Sequence, residues 1–148
     1  MIRAIRSVHS HDDAFDSVTL DYEARFRRRI VMQADGGMSF LLDLPKVTDL
    51  QDGDSLVLED GRLIRVRAAA EALVQITASD TLHLTRITWH LGNRHLPCQI
   101  EAERILIRPD KVITNMVEKL GGTVALIEQP FLPEGGAYGH GRTHSHEH

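Results

Sequence analysis

The chain has 148 residues, 42% of them hydrophobic and 26% charged, with a net charge of -4 when histidine is neutral. That is enough chain for one ordinary domain or two small ones, each with a core, and the charge balance excludes a protein that binds nucleic acid over its whole surface. Nine histidines against a single cysteine is the compositional anomaly; Cys98 alone forms no internal disulfide, which suits a reducing compartment.

The first residues, Met1 to Arg6, alternate apolar and basic side chains without an apolar signal core. No stretch approaches the ~18 apolar residues of a membrane span, so a cytoplasmic location is expected. Ile2, Ala4 and Val8 begin an extended segment, and His9-Ser10-His11-Asp12-Asp13 is a polar loop. Ser17–Leu20 is a short β-branched strand. Arg25 to Gln33 and Met38 to Leu42 flank Asp35-Gly36-Gly37, and an Asp-Gly step between apolar runs predicts a hairpin. The pattern repeats with Asp52-Gly53, strand Ser55–Leu58, turn Asp60-Gly61 and strand Leu63–Val66. A small all-β domain over 1–70 is the expectation.

The period then changes. After Leu73–Ile76, Ser79-Asp80 reads as a helix N-cap with an acidic first turn. Leu84, Ile87 and Leu91 follow at i, i+3, i+7, one face of a helix. Gly92 and Pro97 are the expected stop signals of that helix. Pro97–Ile100 is extended and Arg104–Ile107 is a strand. Pro109-Asp110 opens a second helix with Ile113, Met116, Val117 and Leu120 inward, stopped by Gly121-Gly122, and Thr123–Glu128 is the last strand. The fold class is therefore α+β: the β-rich domain, then a ferredoxin-like βαββαβ domain over 71–134 with both helices on one face of its sheet. Residues 135–148 are expected to be a flexible His-rich tail.

Chemistry concentrates in two places. Asn93-Arg94-His95 sits on a stiff turn between a helix end and Pro97, a better place for a metal ligand than for a core residue. The tail carries His140, His144, His146 and His148 in an interrupted, Gly-containing tract, unlike an engineered unbroken run, and such tracts read as metal binding by composition. Imidazole suits Ni, Cu, Zn and Fe. One imidazole on a turn is more often a hydrogen-bonded surface residue than a ligand. It becomes a site when a second copy of the chain brings its own His95 across a two-fold axis.

Gly92-Asn93-Arg94-His95-Leu96-Pro97-Cys98-Gln99 resembles the GNRHxPxQ signature of the urease accessory nickel chaperones, the UreE family, and the resemblance extends over nearly the whole chain. It implies a homodimer, or a dimer of dimers with metal. That assembly would carry Ni(II), with Zn(II) or Cu(II) as substitutes in vitro, to the urease apoprotein through a GTPase-containing complex. It places the shared ligand on His95 of each protomer at the dimer interface, with the tail histidines as further ligands. Some members carry a second histidine pair at the start of the second helix; here Ile107-Arg108-Pro109-Asp110-Lys111 holds none.

Other residues have plainer readings. His83 and His90 on the first helix are solvated or hydrogen-bonded, His90 being a candidate to orient His95. His9 and His11 with Asp12 and Asp13 form a solvated turn. Cys98 is a small buried apolar residue. Arg25, Arg27, Arg28 and Arg29 make a charged strand edge that resists aggregation, or a docking surface for an acidic partner. No Ser-His-Asp set, phosphate loop or spaced carboxylate pair points to an enzyme. Two other classes compete: a His-rich Ni/Zn buffer without a delivery partner, and an RNA-binding ferredoxin-like module. The second needs stacking aromatics on its strands, where this chain has aliphatics.

Overall fold

The computed structural model describes residues 1–10, 12–136 and 142. The chain forms two units, Met1–Ala69 and Ala70–His148.

The first unit holds β1 (Arg3–Val8), β2 (Asp16–Leu20), β3 (Phe26–Gln33), β4 (Ser39–Asp49), β5 (Ser55–Leu58) and β6 (Leu63–Ala68). They form one sheet in the order β2-β6-β5-β1-β4-β3. The pairs β1–β4 and β2–β6 are parallel and the others antiparallel. Period-two patterning makes the core: Phe40, Leu42 and Leu44 of β4 are buried, packed with Ala4, Val18, Leu56, Leu58, Ile64 and Val66. In the expected β3–β4 hairpin it is Gly37, at φ +109, that takes the left-handed turn position. β4 runs to Asp49, well past the Leu42 end that the apolar run implies, and through Pro45. The ladder explains this. The register jumps from Arg27↔Thr48 to Arg29↔Asp43, so Pro45 lies in an interrupted stretch opposite Arg28, where no ladder N–H is demanded of it.

The second unit holds β7 (Ala70–Thr77), α1 (Thr81–Gly92), β8 (Gln99–Ile100), β9 (Ile105–Ile107), α2 (Lys111–Lys119) and β10 (Thr123–Pro130). Its sheet order is β10-β7-β9-β8, antiparallel throughout, which is the ferredoxin-like arrangement. Both helices cover one face, as right-handed crossovers require. Leu84, Ile87 and Leu91 of α1 and Ile113 and Val117 of α2 pack on Val74, Ile76, Ile105 and Ile107. Leu73 and Leu106 have the opposite parity and are fully buried on the other side.

Asp80 and Asp110 cap the helices, accepting from the His83 and Ile113 N–H groups at 2.8 and 3.1 Å. The acid is the cap itself; the first turn of α1 contains no acidic residue, contrary to the sequence expectation. α2 stops as expected, with Gly121 at φ +86. α1 does not. Gly92 is its last residue rather than a left-handed stop, and Asn93 caps it at φ -67. The left-handed residue comes three positions after Gly92, and it is His95.

Candidate metal centre

His95 has φ +59, the only positive φ of a non-glycine residue among those described. That conformation costs an ordinary L-residue roughly 1–2 kcal/mol, although His, Asn and Asp tolerate it better than most. The turn that imposes it is built from short-range bonds. Asn93 N–H reaches the Trp89 carbonyl at 3.1 Å, Arg94 N–H the Leu91 carbonyl at 3.0 Å, and His95 N–H the Gly92 carbonyl at 3.1 Å. Both flanks are set in the core: Leu91 is fully buried on one side, and Leu96 and Cys98 pack against the same cluster on the other. Pro97 fixes φ just after the histidine. The side chain of His95 itself is exposed. The result is one imidazole presented to solvent on a rigid, locally strained support.

The end of α1 that precedes it carries Trp89 and His90. The rings of Trp89 and His90 meet edge to face at 5.1 Å, and Trp89 is 65% exposed. His90 lines an open cleft with Arg94, Asn115, Lys119 and the apolar Val112 and Met116. Cys98 is buried, and burial pushes its thiol up to about 11. It is therefore neutral at pH 7, a poor metal ligand, with its S–H directed at the Leu96 carbonyl at 3.4 Å. Among the described residues, no three His, Cys, Asp or Glu side chains come together to hold a metal. His140, His144, His146 and His148 lie outside the described residues, as does His11.

The other histidines have structural partners. His83 bridges the two helices of its unit. Its Nδ1 accepts from the Ser79 N–H at 3.2 Å, which leaves Nε2–H to donate to the Leu120 carbonyl at 2.7 Å. His9 does not belong to a turn with Asp12 and Asp13 alone: its Nδ1 pairs with the buried carboxylate of Asp54. The loop that follows is pinned by the Arg65 guanidinium, which donates to the Ser10 and Asp12 carbonyls.

The arginine run divides. Arg25 is buried, donating to the Leu20 carbonyl at 3.3 Å beside the Tyr22 ring, so it is no part of a charged surface. Arg27, Arg28 and Arg29 are exposed on β3, an outer strand of its sheet, together with Phe26, Ile30 and Val31.

One residue near the centre, the last of the quoted motif, has contacts that the motif does not specify. Gln99 accepts the Leu132 N–H at 2.9 Å through Oε1 and donates through Nε2 to Glu101 at 2.8 Å. Glu101 is in turn paired with Arg104 at 2.9 Å, which holds its carboxyl below the usual carboxylate range.

The model of the UreE urease accessory protein N-terminal domain matches residues 1–69 and that of the C-terminal domain residues 71–148. The chain is 52% identical over 147 residues to the urease accessory protein UreE of a Chelativorans species, covering 99% of this chain and 91% of that one. It is 50% identical over 146 residues to that of Ruegeria pomeroyi, covering 99% and 96%. With that of a Bradyrhizobium species, strain ORS 278, identity is 57% over 141 residues, covering 93% and 67%.

Proposed function

The chain belongs to the UreE urease accessory protein family, a non-catalytic family whose role lies in urease maturation, and on that premise we propose that it carries Ni(II) to the urease apoprotein. The observation that carries the reading is His95: an exposed imidazole kept in a left-handed conformation by a turn anchored in the core on both sides. Strain of that kind survives where it presents a side chain for use.

Nickel is the cargo. One imidazole is too few ligands, and among the described residues no three His, Cys, Asp or Glu side chains come together. The shell is completed from outside the turn, by His95 of a second protomer across a two-fold axis and by His140, His144, His146 or His148 of the tail. A site shared between chains stays open on one side. Metal then leaves by ligand exchange, as a carrier needs and a closed structural site prevents. Zn(II) and Cu(II) compete for the same imidazoles, so delivery to the right enzyme depends on the partner and not on ligand type alone. The domain over 71–134 supplies the metal site and the dimer contact, and the tail over 135–148 is the ligand store. The domain over 1–70 meets the partners: the urease apoprotein and its GTPase-containing complex, in the cytoplasm. The exposed edge of β3, with its arginines, suits an acidic, extended partner segment.

The test is equilibrium Ni(II) and Zn(II) binding, with mass in solution, on the intact chain and on His95→Ala. The variant is expected to fold, to lose the tight site and to fail to activate urease. Full-affinity binding by His95→Ala, or a monomeric wild type both with and without metal, overturns the shared site. Undiminished binding would instead fit a simple His-rich buffer.

A further inference from the structure

We infer that the outer edge of β10 pairs with the same edge of a second copy of the chain, with Leu126 at the centre of the contact. This stands apart from the nickel reading: β8, the strand that follows His95, lies at the opposite edge of the sheet from β10.

The ladder fixes which backbone groups of β10 are open. Glu101 N–H donates to the Arg104 carbonyl at 3.0 Å, closing the β8–β9 hairpin. In an antiparallel pair the bonded positions alternate, so Gln99 and Leu106 exchange bonds and Ile105 turns its own groups away from β8. The alternation carries across the sheet. Ile105 and Ile107 bond Ile76 and Val74 of β7. That leaves Leu73, Gln75 and Thr77 to bond Ile127, Ala125 and Thr123 of β10. Val124, Leu126 and Glu128 therefore direct their N–H and carbonyl groups off the edge, where no further strand of the described residues lies. Pro130 shares their parity, so the N–H it lacks is one that the ladder does not need.

The side chains of this open set suit a copy of themselves. Leu126 is 81% exposed in the middle of the strand. Beside it runs a groove lined by Val74, Val124, Pro109 and Thr114. Glu128 is the only charged residue of β10, whereas the outer strand β3 carries three arginines that keep like edges apart. Charge also selects the register. A two-fold axis through Leu126 sets the two Leu126 side chains together and places each Val124 opposite a Glu128. All three positions face outward, so every pair can exchange two backbone bonds. An axis through Glu128 would set two carboxylates face to face, which is unfavourable. An axis through Val124 would carry Leu126 past the start of the partner strand, opposite Gly122. With the axis at Leu126, two four-stranded sheets become one continuous sheet. The contact is small against the ~1,600 Å² of a standard interface, so it forms in proportion to concentration.

The test uses full-length, metal-free chains in sedimentation equilibrium up to about 1 mM, the weak end of the affinity scale. The wild-type mass is expected to rise toward double its low-concentration value. The rise is expected to persist in His95→Ala, which separates it from the shared nickel site, and to vanish in Leu126→Lys, whose exposed position leaves the melting temperature unchanged. A second measurement reads the register. Leu126→Cys chains treated with oxidised glutathione are expected to cross-link in pairs, since facing Cα atoms lie about 5.5 Å apart. Glu128→Cys chains are not, because their two sulfurs stand four residues out of register, roughly 13 Å. Wild type, with only the buried Cys98, is the blank. A wild-type mass that stays constant would mean that this edge meets a different protein or none, and overturns the proposal. So would an equal rise in Leu126→Lys, a rise lost in His95→Ala, or equal cross-linking from both positions.

Discussion

At the scale of single residues, His95 and Cys98 stand three positions apart and are opposites in exposure and role. His95 carries backbone strain, and its identity can be separated from that strain. Glycine accepts a positive φ freely, whereas a β-branched side chain does not. His95→Gly is therefore expected to fold with stability within about 1 kcal/mol of the wild type, and His95→Val to lose about 2 kcal/mol, in urea unfolding of the metal-free protein. Both are expected to lose tight nickel binding, so stability and function part company at this position. Cys98 gives a pH signature. Its thiol is raised from 9.0 to about 11 by burial, so between those values the folded state keeps a proton that the unfolded state has shed. Its contribution is fully present below pH 9 and is lost as pH rises toward 11, on the order of 2–3 kcal/mol. In Cys98→Ala the stability curve is expected to be lower overall but to lack that alkaline decline; a persisting decline would place its source elsewhere.

At the scale of elements, histidines that look alike in the sequence separate by what they bridge. His83 ties the N-terminus of α1 to the C-terminal end of α2 through Ser79 and the Leu120 carbonyl. The close fit extends to Gly121, where an added Cβ would lie 3.3 Å from the imidazole ring. His83→Ala removes both bonds, at a cost of about 1–2 kcal/mol. A lower melting temperature with unchanged nickel stoichiometry is the expected result, and a lost metal ion would make His83 a ligand after all. The outer strand β3 shows the complementary case. Nothing in it is buried before Met32, so the strand owes its place to pairing with β4, and its positive charge discourages edge pairing with another copy of itself.

At the scale of the molecule, stability and metal binding are expected to divide at Gly136. Phe131 is buried and the Leu132 and Glu134 N–H groups bond the Gln99 side chain and the Cys98 carbonyl, whereas the last four histidines of the sequence all follow Gly136. Ending the chain after Gly136 is expected to leave the melting temperature within a degree or two while fewer nickel ions bind per protomer. Phe131→Ala is expected to cost about 3–5 kcal/mol, since it empties a fully buried site. Calorimetric melting beside metal counting separates the two effects. An unchanged nickel count in the shortened chain would remove the tail from the ligand set.

Much of this protein is written in local patterns. Alternation in β4, the i, i+3, i+7 stripe of Leu84, Ile87 and Leu91, and the caps Asp80 and Asp110 each need only a few neighbouring residues to be understood. Short-range sterics and burial of one face dictate them wherever they occur, and the βαββαβ order follows from their sequence. The segment around His95 is likewise legible as a turn, and its motif points to the family. Three things lay outside those patterns. Pro45 could remain in a strand because its own strand bulges there, residues 44–47 standing opposite Arg28 alone. Arg25 left the basic run because the Leu20 carbonyl and the Tyr22 ring gave its guanidinium a buried place. The left-handed residue fell on His95 and not on Gly92 because Asn93 and Arg94 continued the helical hydrogen bonding for one more turn. A fourth depended on distant residues: Gln99 and Leu132 are 33 residues apart, and their hydrogen bond exists only once β8 and β10 have taken opposite edges of one sheet.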